Sequence, residues 1–502
     1  MNIAGSFLLG LLTGVASAEV HLLLGTGLCG ALTTYSTGGG PATIRRPIRV
    51  PGTPRRGGRS RATVVEQREG AAQPSGRSVV STSVATKRRA VTGAVPPAVP
   101  LDVVKAAGPA GSREDVYAEL CAALFSGFPR RDQRLKAEQY LHGLLTAQGR
   151  KSIRNIAAQI GGPAAEQSLH HFVSSSTWDW QPMRAALARH LERNSCPQAW
   201  VVRPMPIPKA GEHSVGVDRR FDPERGQVFH GQQAFGVWFA SDELSVPVNW
   251  RLFLPDPWVN DRTRRDRAEV PQEAGEETLE ECAVAAALDT ARWPDVTRKP
   301  VLLDIRGGAG RAALTRLAGA GVPVVARIGP GSRLAIADRS LPGFGAGPLS
   351  ALQILESLKG LRRPVSWVDT VAGARTSRTS LATAVRVALP APGGERMRPL
   401  VLLGEWDDPR RPPARVWISD LTGSPVGSLL RLTKLARRVE RDFVEVGEGA
   451  GLRDFVGRSF RGWHRHITLA SAAHAATVMA ATDWESSYRS DYGSGRTART
   501  AS

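Results

Sequence analysis

Acidic residues are in short supply. Asp and Glu number 46 against 66 Lys and Arg, which leaves a formal charge of +20 on 502 residues. That balance disfavours a cationic partner and favours a polyanion, because each neutralised phosphate releases counterions. Cysteine is scarce as well, limited to Cys29, Cys121, Cys196 and Cys282. None stands in Cys-x-x-Cys spacing, so a zinc ribbon is excluded and reduced core thiols are expected. Uninterrupted apolar runs of membrane length are missing. The first 37 residues hold two apolar stretches, 3–18 and 22–35, split by Glu19 and His21, and each falls short of the ~20 residues a span needs. Ala16-Ser17-Ala18 mimics a signal-peptide cleavage site, yet no Lys or Arg precedes the apolar stretch. A single small module is excluded by length, since one core rarely grows past ~250 residues.

What is present changes character along the chain. Residues 38–111 are rich in Gly, Pro, Ser, Thr and Arg without helical or strand periodicity, the composition of a disordered basic linker or a DNA-touching arm. At Ser112, S-R-E-D resembles a capping box and leads into a run with Val116, Leu120, Ala123 and Leu124 on one helical face. Residues 112–195 therefore read as a helical, DNA-binding-like region. Within it, 152–160, a Gly161-Gly162-Pro163 break and 165–174 have helix-turn-helix proportions. Arg150, Lys151, Arg154 and His170 are candidates to meet DNA; a solvated basic face is the alternative. Trp178 and Trp180 are expected to pack this unit.

Residues 199–254 alternate apolar and polar side chains between Pro and Gly turns, the pattern of antiparallel strands. A helix over 276–290 precedes the apolar strand VLLD, ending in Asp304, and then a helix and a second strand, VPVVARI. The expectation is one core starting over 196–330, an insertion over 331–428 with strands near 365–371 and 399–403, and a closing helical part over 429–482, with a disordered tail at 483–502. His464 and His466 lie two apart on a predicted helix and point to different faces, which disfavours a shared metal.

Five stretches, RRDQRLKAEQYLHGLLTAQGRKSIRNIAAQIGG, SSTWDWQPMRAALARHL, PKAGEHSVGVDRRF, VNWRLFLPDPWVND and GLRDFVGRSFRGWHRHITLASAAH, occur in that order over about residues 113–480. In them the chain resembles the DDE-superfamily transposases of insertion sequences. The resemblance implies an α/β fold with a ribonuclease-H-like core and a β-rich insertion. It implies cut-and-paste DNA transposition, with three carboxylates converging on two divalent ions, and magnesium suits such oxygen ligands. The first acid falls on Arg203, in AWVVRPMPIPKAG, and no acid occurs between Asn194 and Gly211. The second falls on Asp304 and the third on Glu440, in LARRVERDFVEVGEG; these two are the catalytic and metal-binding candidates. Asp218 is the candidate substitute for the lost acid, and Lys209, in KAGEHSVGV, a further DNA-contact candidate. A strand-end Asp also caps turns, and a helical Glu beside Arg437 and Arg441 also forms solvated salt bridges. The family's Arg-Trp before the glutamate becomes Ala436-Arg437, and its later lysine becomes Gly447.

The expected function is accordingly a transposase-like, DNA-binding protein impaired in strand cleavage. The alternative is an active transposase with a divergent magnesium site. Double-stranded DNA is the expected partner, a homodimer is compatible with the reading, and no small-molecule substrate is implied. The expected location is cytoplasmic, at the nucleoid. A separate resemblance lies at the start: NIAGSFLLGLLTG followed by LLLGTGLCGALTTYST is similar to the middle of CrcB-type fluoride-specific ion channels. It would put the pore asparagine on Asn2, the sodium-site region on 30–34, and the paired pore phenylalanines on Tyr35 and Gly38, leaving the second aromatic absent. A fusion scar, or a membrane-associated segment, is what that fragment implies.

Overall fold

The computed structural model describes residues 110–222, 226–306, 310–371, 374–390 and 399–497. The expectations for residues 1–37 and for nearly all of 38–111 fall outside those residues. Among the described residues no helix is long and apolar enough to cross a membrane.

Helices α1 (Ala110–Phe125), α2 (Arg131–Thr146), α3 (Ile153–Ala158), α4 (Pro163–Ser174) and α5 (Gln181–Asn194) come first. α1 starts two residues ahead of the Ser112 signal. Ser152 caps α3 by accepting from the Asn155 amide, and Gly162, at φ 65°, turns the chain into Pro163 at the head of α4. Trp178 stacks on Phe172 at 5.3 Å and donates its indole N–H to the Phe172 carbonyl at 2.9 Å. The reading of all cysteines as core thiols fails at Cys196, which is exposed in the loop after α5, whereas Cys121 and Cys282 are buried.

Strands β1 (Ala199–Pro208), β2 (Asp218–Asp222), β3 (Gln227–Ala240) and β4 (Ser245–Leu252) follow. β1 lies antiparallel to β3 over its full length, from Ala199↔Ala240 to Pro208↔Gly231. β4 and β2 share the far edge of β3, one after the other. Short helices α6 (Asp256–Asn260) and α7 (Arg262–Ala268) lead to α8 (Leu279–Ala291), which a Thr278/Glu281 capping box starts. β5 (Val301–Asp304), α9 (Gly310–Gly319) and β6 (Val324–Arg327) add parallel pairs β1–β5 and β5–β6, each reached by a crossover helix.

The segment 331–428, read from the sequence as an insertion, is joined to the sheet. It carries β7 (Arg333–Ile336), β8 (Leu349–Ser350), α10 (Ala351–Ser357), β9 (Arg363–Val371), β10 (Ala374–Ala388), β11 (Pro399–Trp406) and β12 (Arg415–Ser419). β12 pairs with β6, so these strands continue one mixed sheet, of 12 strands among the described residues, with the path β2-β3-β1-β5-β6-β12-β11-β10-β7-β8. The chain ends in α11 (Val426–Asp442), a π turn over Phe443–Gly447, and α12 (Phe460–Thr497). α12 runs past residue 482, where the sequence suggested a tail; that stretch has no proline to stop propagation.

Successive residues of β4 define the two faces of the sheet. Asn249 reaches Ala286 and Thr290 of α8, while Trp250 donates to Ser471 of α12 at 2.8 Å. At the β4 edge, Arg184 of α5 is 1% exposed and joins three elements. It donates to Thr468 (2.7 Å), Asn249 (3.0 Å) and the Trp250 carbonyl (2.8 Å), and meets His464 at 3.0 Å. His464 in turn stacks on Trp180 at 4.8 Å.

The Lys209 amide donates to His230 of β3 and the Trp200 amide to Pro300 of the β5 side, so the even positions of β1 face away from β3. Pro204, Pro206 and Pro208 occupy those positions beyond the last paired residue of β5.

Candidate active site

The sheet sets the geometry before any side chain does. β1 and β5 run parallel with Trp200↔Val301 and Val201↔Leu302; carried two residues on, that register sets Arg203 beside Asp304. Neighbours in register project on the same face, about 4.8 Å apart. Asp304 is in turn opposite Arg327 of β6, and Arg203 is opposite Gly236 of β3. A Cβ on Gly236 would lie 2.7 Å from the Trp250 ring, so only glycine lets that indole sit over the strand beside Arg203.

α11 supplies the third position. Its buried Leu429, Leu430, Leu435 and Val439 recur at helical spacing and seat it on the sheet. Two polar fasteners fix its rotation. Asp442 accepts from the Ser245 amide at 3.0 Å and hydroxyl at 2.7 Å, and Lys434 donates to Glu405, a carboxylate 1% exposed that also meets Arg415 at 3.3 Å. Burial lowers the Lys434 ammonium from its ordinary range, and Glu405 opposes that shift. Glu440 is thereby presented to β1.

There it meets a cation. Arg203 donates from Nε to Glu440 Oε2 at 2.8 Å and from Nη2 to Oε1 at 3.0 Å, a two-point pair. Nη1 donates to the Pro204 carbonyl at 2.9 Å, and the guanidinium lies 3.5 Å from the centre of the Phe443 ring. Arg203 is 11% exposed and Glu440 61%, so the glutamate lies on the outer side of the pair. Asp304 is engaged separately: Arg306 donates to both of its oxygens at 2.7 to 2.9 Å, and Arg327 lies at 3.8 Å. Next to Glu440 in the helix, Arg441 holds Asp369 of β9 at 2.8 Å, and Arg378 of β10 meets the same carboxylate at 2.9 Å.

This donor set does not fit a pair of divalent ions. The two acids that would ligate them already face guanidinium groups, and a fixed cation stands at the position of the third. Among the described residues no three His, Cys, Asp or Glu side chains gather as a metal cluster. Asp218 does not supply the missing acid. It lies on β2, two strands from β1, and pairs with Gly231, five residues along β3 from the Gly236 that faces Arg203, or roughly 17 Å at ~3.3 Å per residue.

The candidate DNA contacts divide. Arg154 and His170 are exposed on α3 and α4, and Arg150 is exposed with Asp454 at 4.0 Å. Lys151 and Lys209 turn inward. Lys151 is 2% exposed and bonds the Ala147 carbonyl, while its backbone amide donates to Asp454 at 2.8 Å. Lys209 donates to the Phe455 carbonyl at 2.6 Å, and burial pushes its ammonium down to about 8. Their partners come from the loop before α12, which charge patterning along the sequence cannot reveal. His464 and His466 are buried on α12, His466 between Tyr140 at 2.8 Å and the Gly451 carbonyl at 2.9 Å.

Arg306, Arg327, Arg378 and Asp369 escape a reading of the sequence, and Arg441, read there as a partner of Glu440, pairs with Asp369. For Arg327 a signal exists, since consecutive parallel strands ending in Asp304 and Arg327 must place those ends side by side.

Comparison with known proteins gives two results. A family described as DDE superfamily endonuclease matches residues 123–388, more than half of the chain, a span that holds Arg203 and Asp304 and stops short of Glu440. Elsewhere the chain is similar to the Fluoride-specific ion channel FluC 1 of Streptomyces avermitilis, 67% identical over 42 residues, 7% of this chain and 34% of the channel. It is also similar to the Fluoride-specific ion channel FluC 2 of Rhodococcus jostii, 58% identical over 38 residues, 7% of this chain and 33% of that protein. The chain thus spans about a third of the length of the curated relatives it matches.

Proposed function

The chain belongs to the DDE superfamily of endonucleases, and from that premise we propose that it is a transposase-like DNA-binding protein whose strand-cleaving site is closed by its own arginines. The observation that carries the proposal is the two-point pair between Arg203 and Glu440. In-line phosphoryl transfer of this class needs two ions held by converging carboxylates. In this chain a guanidinium replaces one ligand and occupies another, and Arg306 occupies the third. The order β4-β3-β1-β5-β6, antiparallel and then parallel, supports a ribonuclease-H-like core. The net charge of +20 and the exposed Arg150, Arg154 and His170 support duplex DNA as partner.

The test is a nicking assay on supercoiled plasmid in magnesium, run beside a binding assay on the same DNA. The unmodified chain is expected to bind and leave the plasmid intact. Robust nicking by the unmodified chain would restore the reading as an active transposase with a divergent site. Nicking that appears only with Arg203→Asp would identify a dormant site lacking that one ligand.

A further inference from the structure

The β9–β10 hairpin is built unlike the rest of the sheet. β10 changes partners midway: Leu381 to Ala388 pair with β11, while Ala374 to Ala382 pair with β9 on the opposite edge. Among the described residues, Ala374 to Ser380 have β9 as their one strand neighbour, and β9 pairs with β10 alone. The result is a two-stranded ribbon that leaves the body of the sheet for about seven residues, roughly 23 Å.

Its base is fixed beside the candidate site. Trp367 is buried under Lys434 and donates its indole N–H to Ser380 at 3.0 Å, and Asp369 holds Arg441, the neighbour of Glu440. These contacts assign the odd positions of β9 to the α11 face. The other face carries Ser366 and Val368 of β9 with Arg375, Ser377 and Thr379 of β10, all exposed and none acidic. Residues 375–379 are exposed without interruption, so both faces of this half of β10 are open. Arg378 adds a second cation on the α11 side.

We propose that the β9–β10 ribbon enters the major groove of duplex DNA, with Arg375 and Arg378 on phosphates and the Ser366, Val368, Ser377 and Thr379 face toward base edges. The groove is about 12 Å wide and admits a two-stranded ribbon. Hydroxyls donate to or accept from base edges, and an exposed valine suits a thymine methyl. The inference rests on the DNA-binding reading above and adds the element and the groove.

The test uses the full chain, a labelled mixed-sequence duplex, and the same duplex with its major groove filled by glucosylated hydroxymethylcytosine. Arg375→Gln combined with Arg378→Gln should weaken binding more than tenfold at about 0.1 M salt and lower the logarithmic salt slope by about 1.8, for two phosphates. The glucosylated duplex should bind the unmodified chain less tightly, and the double variant should no longer distinguish the two duplexes. Arg375→Glu alone, which leaves the pairs of Asp369 untouched, is the second variant if the double one fails to fold. Equal affinity and slope for variant and unmodified chain would overturn the ribbon and leave the DNA reading standing. So would indifference of the unmodified chain to groove filling, or a variant that loses self-association and keeps DNA binding, which would give the ribbon edge to a second copy. Absence of any binding at low salt would remove both readings.

Discussion

Arg184 and Arg203 are each held at several points, but by different chemistry. Arg184 is fully enclosed, and every acceptor around it is neutral: a hydroxyl, an amide oxygen, a carbonyl and an imidazole. Burial pushes it down to about 9. Arg203 sits at the open end of β1 and faces a carboxylate that is mostly in water. The first arginine replaces its hydration by fixed dipoles from α5, β4 and α12, which makes it a fastener of the fold. The second neutralises a group that solvent could have served equally well, and its position matters for chemistry more than for stability. An ion pair with an exposed partner is worth little, whereas a buried cation stripped of its acceptors, or the reverse, is expensive.

The largest effect expected from this contrast is in acid. His466 and His474, buried against α12's surroundings, are each held down to about 4, mainly by burial, and His464 is held well below its ordinary value. In the unfolded chain these imidazoles titrate near 6.5. Stability is therefore full above about pH 6.5 and falls as pH drops toward about 4, because the unfolded state takes up protons that the folded state refuses. Thermal midpoints measured across that window should drop steeply, and His466→Gln should flatten the slope. A flat profile would mean that this interior tolerates charge as the mouth of the site does.

Next in size is Arg184→Met. It leaves Thr468 and the Trp250 carbonyl without this donor, and Asn249 Oδ1 with the Trp250 amide alone, at about 1–3 kcal/mol for each unpaired buried group. Urea unfolding should show a loss above about 3 kcal/mol, and a loss below about 1 would erase the contrast with Arg203. Gly236→Ala should cost about 1–3 kcal/mol, since its methyl would meet the Trp250 ring at 2.7 Å. The same denaturation series checks it, and a neutral result would show that Trp250 yields. The smallest effect belongs to Arg203→Ala, expected within about 1 kcal/mol of the parent because its partner is largely hydrated. A larger loss would recast Arg203 as part of the fold.

Much of the architecture is legible in the sequence because it is written locally. The strand at β3, the VLLD strand ending in Asp304 and the helix that carries Glu440 each lie within one window of residues, although β3 is buried continuously from Gly231 to Ala240 and not alternately. What is not legible arises from distance. Lys151 and Lys209 read as exposed cations, yet their amide and ammonium partners lie 303 and 246 positions away. Asp218 reads as a neighbour of the site because β2 follows β1, but β3 intervenes between them in the sheet. The strands of 331–428 read as an insertion because the stretch is broken by Gly and Pro. Only the pairing of β12 with β6 makes them part of the same sheet.

The prolines of β1 have a consequence for how copies of this chain behave toward one another. Pro204, Pro206 and Pro208 fall on the side of the strand that β5 leaves uncovered. That edge offers carbonyl oxygens and no amide hydrogens. A strand from a second molecule cannot complete a ladder there, since half of its hydrogen bonds would find no donor. During folding or at high concentration, the most central open edge of the sheet is thus closed to templated aggregation by composition alone. The acceptors left on it serve the chain's own guanidinium, as the bond from Arg203 to the Pro204 carbonyl illustrates.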